Sequence, residues 1–136
     1  MEETCGMISL PLPPSLNNAF VNRQDGKGRY RSSAYKAWQR AAGDCLSVSA
    51  WDMPSPPYGI TIRLNIDHRS DIDNRVKPVL DLLVKHGVLT GDQWVNSLHV
   101  YRDRSIDGCT VAFFDPECMT LGQAACRVIS NLEITE

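Results

Sequence analysis

The strongest periodic signal in the chain lies at residues 58–67, where Ile60, Ile62, Leu64 and Ile66 alternate with Thr61, Arg63 and Asn65. Successive side chains of a strand point to opposite faces, so this alternation predicts a half-buried strand. Upstream, Met7 to Leu12 reads as a short strand halted by Pro11, Pro13 and Pro14, which lack the amide that a ladder needs. A polar stretch follows, with Asp25-Gly26 and Lys27-Gly28 as turn signals. Residues 33–49 set Tyr35, Trp38, Ala42, Cys45 and Leu46 near one helical face, with Ser32 or Ser33 available as cap. A second helix is expected over 74–86. Val76, Val79, Leu80, Leu83 and Val84 form its stripe and Gly87 its stop. Pro78 fits there only in the first turn, where amides have no intrahelical acceptor. Strands near 96–103 and 109–114 follow, joined by a turn around Ser105 to Gly108, and a last helix around 119–131 closes the chain. This order predicts an α+β (mixed α/β) fold, a small sheet with helices packed on it.

Length and composition narrow the class. The chain has 136 residues, of which 43% are hydrophobic and 22% charged, so one globular domain over 1–136 is expected, and wholesale disorder or coiled coil is not. No apolar run reaches the roughly 18–20 residues of a membrane span. The opening MEETCGMISL carries two glutamates where an export signal needs positive charge. The five cysteines, Cys5, Cys45, Cys109, Cys118 and Cys126, form no C-x-x-C and no even framework. Cys45, Cys109 and Cys126 read as small core residues, and the absence of disulfides suits a reducing cytoplasm. The formal net charge of −2 would by itself argue against a nucleic-acid partner.

The chemistry concentrates in the stretch HRSDIDNRVKPVLDLLVKHGVLTGDQWV. Asp71 and Asp73 flank Ile72 between the strand and the second helix. If that segment is extended, both carboxylates project to one side. Their mutual repulsion then calls for a cation, and hard divalent ions take oxygen ligands. Asp92, on the loop leaving the far end of the helix, could complete a three-carboxylate site. Lys77 stands one helical turn after Asp73, placed to stabilise charge on a phosphate or to hold an attacking water. The alternative is structural. On that reading Asp71 or Asp73 serves only to cap the helix, leaving Asp81 and Asp92 as solvated surface residues. Two other D-x-D chemistries fit less well. Aspartyl phosphotransferases set the motif directly at the end of an apolar strand, and nucleotide-sugar transferases need a longer chain.

The run D-I-D-N-x-x-K-P-x-L-D-x-L followed by G-V-L-x-x-D, together with L-P-L-P-P-S-x-N-N at Leu10 to Asn18, resembles the RusA family of Holliday-junction resolvases. The likeness covers about residues 7–115 and leaves 116–136 as a variable tail. It implies a homodimeric, Mg²⁺-dependent endonuclease, with Mn²⁺ able to substitute, that cuts four-way DNA junctions by paired symmetrical nicks. The family's three metal-binding aspartates fall on Asp71, Asp73 and Asp92, and its catalytic lysine on Lys77. Many members carry two adjacent acids near the third ligand, whereas this chain has Gly91-Asp92. Asn74 and Asp81 also match the helix pattern. Asn74 is read as a cap in preference to a holder of metal-bound water, and Asp81 as structural.

Segment charges alter the meaning of the net figure. Residues 22–40 hold Arg23, Lys27, Arg29, Arg31, Lys36 and Arg40 against Asp25, a net of +5. Residues 105–136 hold Arg127 against Asp107, Asp115, Glu117, Glu133 and Glu136, a net of −4. Lys27, Arg29 and Arg31 alternate, so a hairpin or extended arm would offer them together to phosphates. The plainer reading of that run is a solvated loop. Arg69 and Arg75 bracket the acidic site, and Asn17 and Asn18 either donate to phosphate or close a turn. Trp38 reads as core. Tyr30 and Trp94 are assigned to core or dimer contact ahead of stacking on an unpaired base. Besides a junction-cutting enzyme, the sequence leaves open a branched-DNA-binding protein that does not cut, and a less selective metal nuclease.

Overall fold

A computed structural model describes residues 4–48 and 54–117. Four strands make the main sheet: β1 (Thr4–Leu10), β4 (Tyr58–Leu64), β5 (Val95–Arg102) and β6 (Cys109–Phe114), in the order β1-β6-β4-β5. β6 pairs antiparallel with both β1 and β4, whereas β4 and β5 run parallel with Ile60 opposite Leu98 and Ile62 opposite Val100. A parallel pair needs a crossover, and residues 65–94, carrying helix α3 (Val76–Lys85), provide it. That crossover holds every residue of the acidic constellation. The remaining elements are a one-turn helix α1 (Leu16–Ala19), a short hairpin of β2 (Phe20–Asn22) and β3 (Arg29–Arg31), and helix α2 (Ser33–Val48). Helices beside a mixed sheet make this the expected α+β fold.

The alternation at 58–67 does what the pattern predicts. Ile60, Ile62, Leu64 and Ile66 are buried while Thr61, Arg63 and Asn65 are half-buried. The buried face joins Ile8, Leu10 and Val111 of the neighbouring strands, Tyr35, Trp38, Ala42 and Leu46 of α2, and Val79, Leu82 and Leu83 of α3 in one core. Trp38 is core as expected, and its indole Nε1 donates to the Pro11 carbonyl at 2.8 Å. On the other face Arg63 is held by Thr110 Oγ1 at 3.0 Å and by Asp103 Oδ2 at 3.1 Å. Cys109 is fully buried, and burial pushes its thiol up to about 12, the character of a small core residue rather than a nucleophile. Cys45 is half-buried, and Cys126 lies outside the described residues.

Element ends move by a few residues for identifiable reasons. The first strand runs from Thr4 to Leu10 and stops ahead of the proline cluster. Ser32, not Ser33, caps α2, with its Oγ accepting from the Tyr35 amide at 3.1 Å. α3 begins at Val76, after a 3-10 turn at Asp73–Arg75, which puts Pro78 third in the helix, where its missing amide costs no hydrogen bond. Gly87 ends it in the left-handed region at φ 75°, with its amide donating to Val84 O. The helix expected at 119–131 lies outside the described residues. Among the described residues no helix is long and apolar enough to cross a membrane.

Candidate active site

After β4 the chain must bring Asp71 and Asp73 to the start of α3, and β5 helps to hold that path. Arg102, the last residue of β5, donates through Nη1 to the carbonyls of Asp67 (3.2 Å) and Ser70 (3.0 Å). Asn65 Nδ2 donates to Ile106 O at 2.7 Å. Arg69 folds back onto Asp67, with Nη2 to Oδ2 at 2.8 Å, and this contact holds the Asp67 carboxyl below its usual range. Nothing in the local sequence pattern singles out Arg102. Its role as a clamp on the loop before Asp71 depends on β5 lying beside β4, which local pattern does not encode.

The geometry around Asp71 and Asp73 differs from extended alternation. Ile72 has helical angles (φ −68°, ψ −36°), and Asp73 already opens the 3-10 turn. Neither the 3-10 turn nor α3 has a side-chain cap hydrogen bond, so the helix-capping alternative has no contact behind it. Asn74 is likewise no cap: its Nδ2 donates to Asp71 Oδ2 at 3.3 Å. Asp71, Asp73 and Asp92 are all exposed.

Lys77 ties the crossover together. Its Nζ lies 3.0 Å from Asp81 Oδ1, one turn along α3, and 3.3 Å from Asp92 Oδ2, in the 3-10 turn Asp92–Trp94 that leads into β5. The hydrogen bond to Asp81 is the main reason the lysine's pKa is raised above its usual value; desolvation opposes it and Asp92 adds to it. Asp81 is therefore Lys77's partner within the helix, and the i,i+4 spacing was the signal for it. Asp73 and Lys77 also line an apolar groove of about 380 Å³ between α3 and β5, with Ile72, Val76, Leu80, Leu98 and Val100.

Chemically, the exposed carboxylates of Asp71, Asp73 and Asp92, the last in contact with Lys77, are oxygen donors of the kind a hard divalent cation prefers. Among the described residues, no three His, Cys, Asp or Glu side chains stand close enough together to hold one ion in this arrangement. The donor chemistry fits a metal, and exposed side chains of this kind exchange rotamers within nanoseconds.

A family model described as Endodeoxyribonuclease RusA matches residues 11–112. The chain belongs to the RusA endodeoxyribonuclease family. The matched range takes in Asn17 and Asn18, the basic hairpin and the whole crossover, and membership supports a nuclease. No curated protein matches the chain.

Against this RusA background the basic residues divide by setting. Asn17 and Asn18 are exposed on the one-turn α1, and Lys27, Arg29, Arg31 and Tyr30 are exposed in or beside the hairpin. Arg29 and Arg31 share a strand face, whereas Lys27 sits in the turn, where its amide donates to Asp25 Oδ1 at 2.9 Å. The Arg29 guanidinium lies 4.1 Å from the centre of the Phe20 ring, a cation–π contact that stiffens the arm. Arg75 has a different setting: it is half-buried and donates to the Pro13 carbonyl, tying the proline segment to the start of α3. Tyr30 and Trp94 are half exposed, so neither is core.

Proposed function

We propose that the chain is a Mg²⁺-dependent, structure-selective endodeoxyribonuclease that resolves four-way DNA junctions as a homodimer, by paired symmetrical nicks, with Mn²⁺ able to substitute. The observation that carries this reading is the contact of Lys77 with Asp92, since it links the two chain segments that hold the acidic residues. Asp71, Asp73 and Asp92 would hold the metal. Such an ion lowers the pKa of a bound water and offsets charge on a phosphorane-like transition state. Lys77, one turn from Asp73, offers its ammonium to the phosphate as charge develops, or orients the water.

The hairpin residues Lys27, Arg29 and Arg31, with Asn17, Asn18 and Arg69, guide the backbone toward carboxylates that would otherwise repel it. Arg75 positions the start of α3 beneath them. A two-strand cut needs two such sites at a fixed separation, which a twofold dimer supplies. Strand β5, an edge of the sheet among the described residues, the exposed Leu98 and the apolar groove beside Asp73 are the surfaces suited to that contact. The intact acid set favours cutting over binding alone, because a protein that only occupies branched DNA gains nothing from carboxylates facing phosphate.

Metal dependence is tested directly on a synthetic four-way junction. Cleavage is expected with Mg²⁺, is expected to persist with Mn²⁺, and is expected to fall to background when EDTA is in excess. Cleavage undiminished by EDTA would remove the metal from the account.

A further inference from the structure

Apart from the acidic site, the fold holds a second concavity, a cleft of about 430 Å³ between α2 and the C-terminal end of α3. Its walls carry Arg31, Lys36, Arg40, Lys85 and His86, with Asp44 as the one acid among the lining residues. Arg31, Lys36, Arg40 and Lys85 are exposed, so their charges face solvent. Two helices distant in sequence contribute cations to one concavity, and low-dielectric walls of this kind concentrate the field on a bound anion.

The floor of the cleft is shaped by a glycine inside a helix. Gly43 is buried within α2, where alanine would favour the helix by about 1 kcal/mol. A Cβ at that position would come within 2.8 Å of His86 Nε2. The missing side chain lets the imidazole that follows α3 lie directly on α2, which brings the two basic walls together.

The cleft also has a fixed relation to the proposed active site. Lys77 and Lys85 sit eight residues apart on α3, about 12 Å at 1.5 Å per residue. For a duplex whose axis runs along α3, with a rise of about 3.4 Å per nucleotide, that span corresponds to roughly three to four nucleotides. Arg31 belongs to both the hairpin and the cleft, so the basic arm continues into the cleft without a break.

We infer that this cleft is a phosphate clamp for DNA, gripping the backbone of a junction arm roughly three to four nucleotides from the point where Asp73 and Lys77 engage it. The inference rests on the nuclease reading of that site and adds a second, separate contact to it. Arg40 and Lys85 supply the charge, and Gly43 with His86 sets the spacing of the walls.

The test is metal-free equilibrium binding to a fluorescent four-way junction across a salt series. Arg40→Ala/Lys85→Ala is expected to weaken binding about tenfold and to lower the log–log salt slope by roughly two, about one for each lost phosphate contact. Arg40→Lys/Lys85→Arg keeps the charge and is expected to restore the slope. Thermal melts of both variants are expected to match the parent protein, since both side chains are exposed. Uncharged methylphosphonates placed three and four nucleotides from the exchange point are expected to weaken the parent protein equally, and to add nothing in the alanine double variant. An unchanged slope in that variant, or penalties that simply add, would overturn the clamp while leaving the active-site reading standing. Failure of the parent protein to bind the junction at all would instead overturn that reading, and the clamp with it.

Discussion

Asp73→Asn is expected to lower junction cleavage roughly a thousandfold or more, while leaving junction binding intact or slightly tighter. Asparagine keeps the shape of the side chain but removes the charge that a hard cation requires. Metal stabilisation of the transition state amounts to several kcal/mol, and each 1.36 kcal/mol is tenfold in rate, which sets the expected scale at roughly three decades. Stability should move by less than about 0.5 kcal/mol, because Asp73 is exposed and no cap hydrogen bond depends on it. Binding should not suffer, because one of the carboxylates facing the phosphates becomes neutral. Single-turnover cleavage and metal-free binding measured on the same preparation separate the two effects. Cleavage within threefold of the parent protein would take Asp73 out of the chemistry. A variant that binds as the parent does, beside a parent that does not cut, would favour the binding-only alternative.

Ile62→Ala is expected to produce the largest loss of stability from a single conservative change, about 2–5 kcal/mol. Ile62 is fully buried in the middle of β4, with Val100 opposite it on β5 and Val111 on β6. Truncation leaves a cavity bounded by two strands and the helices above them, where backbone pairing resists collapse. Against a total stability of about 5–15 kcal/mol for a domain of this kind, a loss of that size should lower the melting midpoint by about 10 °C or more. Met7→Ala is the internal control. Met7 is 59% exposed, and its truncation should shift stability by no more than about 0.5 kcal/mol. Denaturant titration of the two variants checks the contrast, and an Ile62→Ala loss no greater than that of Met7→Ala would contradict the placement of the core.

What could be read in the chain divides along physical lines. The β4 strand was legible because one side chain in two is apolar over several residues, a pattern that only a half-buried strand satisfies. α2 and α3 were legible for the same reason at helical spacing, and Ser32 and Gly87 marked ends close to those observed, but the buried face of α3 is turned from the expected stripe, with Leu82 buried and Val84 exposed. The turn at Asp71–Asp73 was misjudged because an extended segment and a 3-10 turn both tolerate D-I-D, and nothing local chooses between them. The choice is made by tertiary ties: Arg102 on the carbonyls of Asp67 and Ser70, and Arg75 on that of Pro13. Asn74 was read as a cap because asparagine favours that position, yet a donor contact to Asp71 prevails. The contact of Lys77 with Asp92 joins residues fifteen apart in the chain, and the sequence reading placed both at one site without foreseeing that they touch. The cleft between α2 and α3 was invisible in the sequence, since its cations come from helices whose packing no local pattern specifies.

The central claim, a nuclease selective for branched DNA, is tested most directly by single-turnover cleavage of a strand-labelled four-way junction beside a linear duplex of the same sequence, in Mg²⁺. The account predicts nicks at symmetrically related positions on two opposing strands of the junction and little or no cutting of the duplex. Equal cutting of both substrates would contradict the selectivity, and a junction left intact on all four strands would contradict the activity itself.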